Sequence, residues 1–424
     1  MSIESIVILG GSFAGIGAAH YALRHVVPQL PKKQDVSYNV IIVTPSTDMY
    51  WRIAAPRAAV SKEMMPPSKI FYPIAPAFSY ASSQFKLLQG LATHVDPAGQ
   101  NVSVTTRSGE RQTIPYAALV VATGFTSPSP LFTQETGARA LESVYDDFQH
   151  SLKGAKHVVI GGGGPVGVEM AGEISEILNG KPGWFAPSFP KDPKAKITLI
   201  SSDKKLLPIL RESISKDAET HLNRLGCEVS YKTRVESASR TGATTLVELS
   251  NGETIDADIY IDATGTRPNT SFLPKDWLNN RNRLVCNEKT LRVEHATAGP
   301  RIYALGDVAS YTRGGVMDMS DAIPVAMCNL RTDLIAHLTG NAPTGDRHYT
   351  ANLKESQVVP IGTQKGVGAF GGIKLPSQMV WMMKGRDYLI GMLAESTLRG
   401  DGFKKEGKWT PVRDATAKVG FSSG

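Results

Sequence analysis

Two glycine-rich turns, 152 residues apart, constrain this chain more than any other feature. The first, Gly10-Gly11-Ser12-Phe13-Ala14-Gly15, follows the apolar run Ile3–Leu9 and leads into a helical stretch, Ile16–Val26. The second, Gly161-Gly162-Gly163-Gly164-Pro165-Val166-Gly167, follows His157–Ile160 and leads into a helical stretch ending near Leu178. Each helical stretch is followed by another short apolar run, Val40–Val43 in one copy and Ile197–Ile200 in the other. That order, with the apolar period switching from strand to helix and back, is a β-α-β unit. Each copy later reaches a strand closing on the same three residues, Ala122-Thr123-Gly124 and Ala263-Thr264-Gly265. A glycine turn between strand and helix lets the backbone approach a pyrophosphate, which then sits at the helix N-terminus. One such turn also arises from packing alone, whereas two in the same setting point to two dinucleotide sites.

The copies are not identical. Gly162-x-Gly164-x-x-Gly167 matches the pattern in full, while Gly10-x-Ser12-x-x-Gly15 has serine at the second glycine. The second strand of such a unit carries an acid for the ribose hydroxyls, yet here the strands run into Thr44 and Ser201. The run Ser201-Ser202-Asp203-Lys204-Lys205 offers hydroxyls and lysines to a 2′-phosphate and Asp203 to a free ribose. NADH and NADPH therefore both stay open. Alternating runs around Ser108-Gly109 and Asn251-Gly252 predict a hairpin appended to each unit.

At 424 residues the chain has room for about three domains. Hydrophobic residues at 41% and charged residues at 20% exclude a disordered chain. No stretch approaches the ~18 apolar residues of a bilayer span. The N-terminal apolar run is strand length and lacks a basic leader, and Ser2 does not fit the myristoylation pattern. The expected location is the cytoplasm, or the surface of an intracellular membrane as a peripheral protein. Three cysteines, Cys227, Cys286 and Cys328, include no C-x-x-C, so dithiol redox chemistry is not expected. The nine histidines include no pair at metal-ligand spacing, and no metal is expected. The formal charge is +7, and residues 350–424 hold 11 Lys/Arg against six Asp/Glu. That region reads as a solvated basic face or as a surface for an anionic partner such as a membrane. Nucleic acid is not expected.

The glycine turns, Val121-Ala-Thr-Gly124, Glu169, Ala263-Thr-Gly-Thr-Arg-Pro268 and Tyr303-Ala-Leu-Gly306-Asp307 together resemble the two-dinucleotide flavoprotein superfamily. These are the pyridine nucleotide–disulfide oxidoreductases and their relatives without the disulfide. Asp48-Met-Tyr-Trp-Arg-Ile-Ala-Ala-Pro-Arg57-Ala and Met-Lys384-Gly-Arg-Asp-Tyr388 resemble its apoptosis-inducing-factor-like branch, which includes the ferroptosis suppressors. The resemblance implies an α/β fold of two doubly wound Rossmann-like domains plus a C-terminal α+β domain. The FAD domain would span 1–140 and 275–345, the inserted NAD(P)H domain 141–274 and the C-terminal domain 346–400. A flexible tail would follow at 401–424. It implies an FAD-dependent oxidoreductase that passes electrons from NADH or NADPH to a quinone or other small-molecule acceptor.

Roles follow by position in the resemblance. Gly10 to Gly15, with Thr44 and Ala122 to Gly124, would hold FAD, and Gly162, Gly164, Pro165, Gly167, Ser201 and Gly265 would hold NAD(P)H. Gly306 and Asp307 would meet the flavin ribityl chain. Pro324 and Val325 would open a helix, running to Leu338, whose free N–H groups face the flavin ring. Arg57 and Ala92 match FAD contacts. Glu169 matches a glutamate beside the nicotinamide, and Lys384 a lysine near the flavin; these two are the catalytic candidates. Plainer readings compete: Arg57 paired with a surface acid, Glu169 an ordinary helix residue, Lys384 solvated, Asp307 a turn cap, and Met379–Met383 core of the last domain. Two other functions stay open, a reductase of a protein electron carrier and a non-catalytic interaction protein with a basic C-terminus.

Overall fold

Residues 2–32, 35–134, 137–183 and 187–411 are described by the structure, a computed structural model. Its helices include α1 (Phe13–Tyr21), α2 (Ala55–Val60), α3 (Ala138–Leu152), α4 (Pro165–Asn179), α5 (Glu212–Arg224) and α6 (Val316–Thr339). The largest sheet has seven strands in the order 302–304, 118–121, 2–9, 36–44, 85–96, 101–106 and 111–115. Its first five members run parallel through Gln89. Strand Phe85–Asp96 then continues into an antiparallel hairpin closed at Ser108-Gly109. The central strand carries Ile6, Val7, Ile8 and Leu9 without alternation, and all four are buried. A parallel strand covered on both faces requires that continuous apolar run.

The second sheet repeats the central part of the first. Strands 227–230, 196–200, 157–161 and 259–262 are all parallel, with 157–161 flanked by its unit's second strand and its Ala-Thr-Gly strand. Strand 2–9 is flanked by 36–44 and 118–121 in the same way. In each sheet the glycine turn therefore leaves the strand where the chain order reverses, the crevice in which such sheets bind ligands. A three-stranded hairpin sheet, 235–241, 244–249 and 254–257, follows in the second unit. The two chain crossings between the units pair as Phe125–Thr126 with Arg267–Pro268. Asn269 pins them, bonding both Thr123 and Thr126. A C-terminal sheet of strands 357–361, 365–370 and 373–374 packs on α4 and α5.

Three expectations change. The last long helix starts at Val316, eight residues ahead of Pro324, which lies inside it. The tail expected to be flexible from 401 is docked near its start, at Phe403 and Glu406. His20, Arg24 and His25 bond the carbonyls of Leu398, Arg399, Gly400 and Phe403, and Arg331 pairs with Glu406 at 3.0 Å. Residues 412–424 lie outside the described residues. Within Met379–Met383 only Val380 is fully buried, while Met379, Trp381 and Met382 are exposed, so core packing does not account for this run. Among the described residues no helix is long and apolar enough to cross a membrane.

Candidate active site

Both glycine turns are built by close approach of backbone to backbone. Gly10 has φ +120° and Gly162 φ +114°, a region that disfavours any residue with a Cβ. A Cβ on Gly10 would strike the carbonyl of Ala122, and one on Gly162 the carbonyl of Ala263. A Cβ on Gly15 would land on the Gly10 carbonyl, and one on Gly167 on the Gly162 carbonyl. Gly11 lies against Thr44, whose Oγ1 would be 2.7 Å from an added Cβ, and Gly163 lies against Ser201 in the same manner. Thr44 and Ser201 are both buried. Thus the strand-end hydroxyls sit beneath the turns, where no larger side chain fits. Gly164 differs: a Cβ there would meet nothing within 4 Å. Its lack of a side chain is not a packing requirement.

Helices α1 and α4 begin at these turns. Their N-cap residues, Ser12 and Gly164, make no side-chain cap bond, and neither helix has an acid in its first turn. Their first N–H groups and the positive end of the helix dipole remain available to an anion. Pro165, at the start of α4, suits that position because its missing N–H would have no helical partner.

On the first unit's side, Gly306 packs against Ala14, with 3.1 Å from an added Cβ to the Ala14 Cβ. Asp307 follows in the short turn Gly306–Val308 at the end of strand 302–304. Burial pushes the Asp307 carboxyl above its usual range, against the pull of Arg283, the Gly315 N–H and Arg52. Arg52, which the sequence reading passed over, donates to the Phe125 carbonyl at 3.0 Å and lies 4.6 Å over its ring. Ala92 lies at a bulge in strand Phe85–Asp96, beside Val104. Pro324 and Val325 do not open a helix, so the expected N–H donors are not theirs. Pro324 has no N–H to give, and the free N–H groups of α6 belong to the turn starting at Val316.

The fold brings Glu169 and Lys384 together from positions 215 residues apart, with Nζ 2.6 Å from Oε1. The Glu169 side chain is 3% exposed and that of Lys384 13%, so neither the solvated-lysine reading nor the ordinary-helix reading describes them. Burial raises the Glu169 carboxyl, Lys384 pulls it back, and Glu173 and Arg57 act in opposite directions on it. Glu173 is one helical turn further along α4. Its carboxylate accepts from Arg57, at 2.7 Å from Nη2, and from the Tyr388 hydroxyl at 2.9 Å. Arg57 is paired with an acid, as the plainer reading had it, but with a buried one. All five of its N–H groups meet protein acceptors: Glu173 and the carbonyls of Gly362, Gly385 and Arg386. No N–H of Arg57 is left over for a cofactor. The i, i+4 spacing of Glu169 and Glu173 on α4 was the one available signal for Glu173.

Two β-α-β units with tandem glycine turns, one set inside the other, define a two-dinucleotide flavoprotein. Residues 4–326 match the model of the pyridine nucleotide–disulphide oxidoreductase family, and the chain belongs to it. It is 41% identical over 399 residues to Oxidoreductase phnG of Penicillium herquei, covering 92% of this chain and 94% of that protein. It is 25% identical to human Ferroptosis suppressor protein 1, covering 92% and 96%. The fold superposes on the sulfide:quinone oxidoreductase of Aquifex aeolicus with a TM-score of 0.69 at 15% identity, covering 94% of this chain and 92% of that one. The protein is an oxidoreductase that uses FAD and NAD(P)H. Its residues fit both groups: two uncapped helix N-termini face the turns, Gly164 leaves open space, and Asp307 is a half-buried carboxylate with hydroxyl-accepting capacity. The dithiol of the family's name is not here. All three cysteines are free and buried, and none pairs with another.

Proposed function

We propose that this protein carries electrons from NAD(P)H through FAD to a quinone-type acceptor, with no redox disulfide in between. The observation that carries the reading is the buried Lys384–Glu169 pair, which joins the C-terminal domain to the helix opened by the second glycine turn. When bound, FAD would supply the hydride-accepting and electron-relaying chemistry. The N-terminus of α1 would hold one pyrophosphate and that of α4 the other. Asp307 would orient the ribityl chain by accepting from its hydroxyls. Lys384 supplies a fixed positive charge in a site from which water is largely excluded, where it favours negative charge that builds up during turnover. Glu169 keeps that ammonium in one place and balances it. The quinone assignment is supported by the Aquifex sulfide:quinone oxidoreductase, matched over nearly its whole length, and the lack of an intervening disulfide by the buried, separated thiols.

Anaerobic stopped-flow spectroscopy tests this. Glu169→Gln should slow flavin reduction by NAD(P)H, and Lys384→Ala should slow reoxidation by a short-chain ubiquinone. Wild-type rates for both variants in both halves would remove the pair from the chemistry. Reoxidation by a ferredoxin but by no quinone would replace the acceptor.

A further inference from the structure

We infer that Arg57 is a positioning residue and not a cofactor ligand: with Glu173 and Tyr388 it forms a buried clasp that sets the Lys384–Glu169 pair. The inference rests on the reading of that pair given above. Arg57 lies on α2, Glu173 on α4, and Tyr388 four residues beyond Lys384. One guanidinium therefore ties together three parts of the chain. Nε and Nη2 both donate to Glu173 Oε1, and Nε also to Oε2, while Nη1 donates to the Gly385 carbonyl at 2.7 Å, directly after Lys384. Such a planar fork fixes direction as well as distance. Glu173 in turn stands one turn from Glu169 on the same face of α4.

Tyr388 completes the clasp. Its hydroxyl bonds Glu173, its ring lies 4.8 Å beneath the Arg57 guanidinium, and its N–H bonds the Lys384 carbonyl at 2.6 Å. Its own carbonyl accepts from Trp51 Nε1 at 2.9 Å, and Trp51 packs against Phe13 of the first glycine turn with ring centroids 4.9 Å apart and planes tilted by 52°. Tyr388 and Leu389 both hold positive φ, +55° and +66°, which side-chain-bearing residues adopt only where surroundings impose it. The clasp is thus continuous from the first glycine turn to Lys384.

Charge makes the dependence specific. Glu169 is faced by Lys384 and Tyr388 from the C-terminal segment, by Arg57 from α2 and by Glu173 from its own helix. Two carboxylates and two cations balance. Without Arg57, Glu169 loses one of the two cations that hold its carboxyl down in a buried site, so it takes up a proton more readily.

The test compares Arg57→Met, Tyr388→Phe and the double variant Arg57→Met/Glu173→Met. Four readouts apply: FAD retained after gel filtration, hydrogen exchange of residues 381–388, the rate of flavin reduction, and its pH profile. Arg57→Met should keep its FAD, exchange faster at 381–388, and move the acid limb of the profile up by about 1–3 units. Removing Glu173 as well should return the limb to its wild-type place, which a merely structural role does not predict. Tyr388→Phe should give a smaller shift in the same direction, and it carries the test alone if Arg57→Met is insoluble. Loss of FAD in Arg57→Met, unrecovered in the double variant, would make Arg57 a cofactor ligand and overturn the inference. Wild-type exchange and profile in Arg57→Met, or in Tyr388→Phe where that variant stands alone, would overturn it too. If Glu169→Gln reduces its flavin at the wild-type rate, the functional reading falls, and the exchange data still decide the clasp.

Discussion

In the first glycine turn, added side-chain carbon at Gly10 or Gly15 would strike the backbone of Ala122 or of Gly10 itself. In the second turn, Gly162 and Gly167 stand in the same relation to Ala263 and Gly162. Gly11 rests on Thr44 as Gly163 rests on Ser201. The place where the two depart, Ser12 against Gly164, is also one where the Gly164 position faces open space. Glycines dictated by the chain's own close approach are shared, and the position left to the ligand is free to differ. The helices that leave the turns diverge as well. Residues 398–403 dock against α1 and the turn that continues it, whereas α4 presents Glu169, Glu173 and Glu176 to the C-terminal domain.

The sharpest way to break this parallel is to add one methyl group to each turn. Gly15→Ala and Gly167→Ala should each cost about 3 kcal/mol, the upper end for overpacking, because backbone and not a movable side chain is struck. Calorimetric melting of both variants checks it, and a large loss in one with none in the other would end the equivalence. Gly164→Trp comes next. It should leave the melting temperature and bound FAD unchanged while lowering the rate of flavin reduction by NAD(P)H on the order of 100-fold. Ser12→Trp, if the first turn holds FAD, should reverse that pattern.

Asp307 has no counterpart in the second unit, and it should show two opposite effects. Asp307→Asn should weaken FAD binding by about 1–3 kcal/mol, measured by titration of the FAD-free protein. Burial raises its carboxyl in the folded chain, so the ionised form opposes folding. Stability lost to this group is therefore absent below the unfolded value of about 3.9 and grows as pH rises through the folded value. FAD-free Asp307→Asn should accordingly melt above the FAD-free wild type at pH 7, with the gap closing toward pH 4.

The smallest effect belongs to the docked segment. Burial would raise the Glu406 carboxyl, but bonds from Arg331, Tyr21 and Cys328 outweigh it and hold it down at about 2. Its contribution is present above the unfolded value of about 4.3 and is lost as pH falls toward 2. Glu406→Gln should lower stability by about 1 kcal/mol or less at pH 7, solvent screening included, and flatten the acid side of the melting curve. An unchanged acid side would show that Glu406 does not hold the segment.

Much of the fold is legible in local sequence. The glycine turns, the Ala-Thr-Gly strand ends and the hairpins at Ser108-Gly109 and Asn251-Gly252 each express a backbone or periodicity rule acting within about ten residues. Spacing alone also excluded a C-x-x-C dithiol. The proposed catalytic pair was nameable only through resemblance, and its contact was not visible, since Glu169 and Lys384 lie 215 residues apart. Local rules also misplaced the start of α6, because proline disfavours a helix interior without forbidding it where packing compensates. The partners of Arg57 are 116 to 329 residues away, and the carbonyls that hold residues 398–403 answer to side chains at 20, 24 and 25. Turn geometry is set by neighbouring residues and is written where it occurs. The partner of a buried charge is set by which surfaces meet, and only the assembled fold decides that.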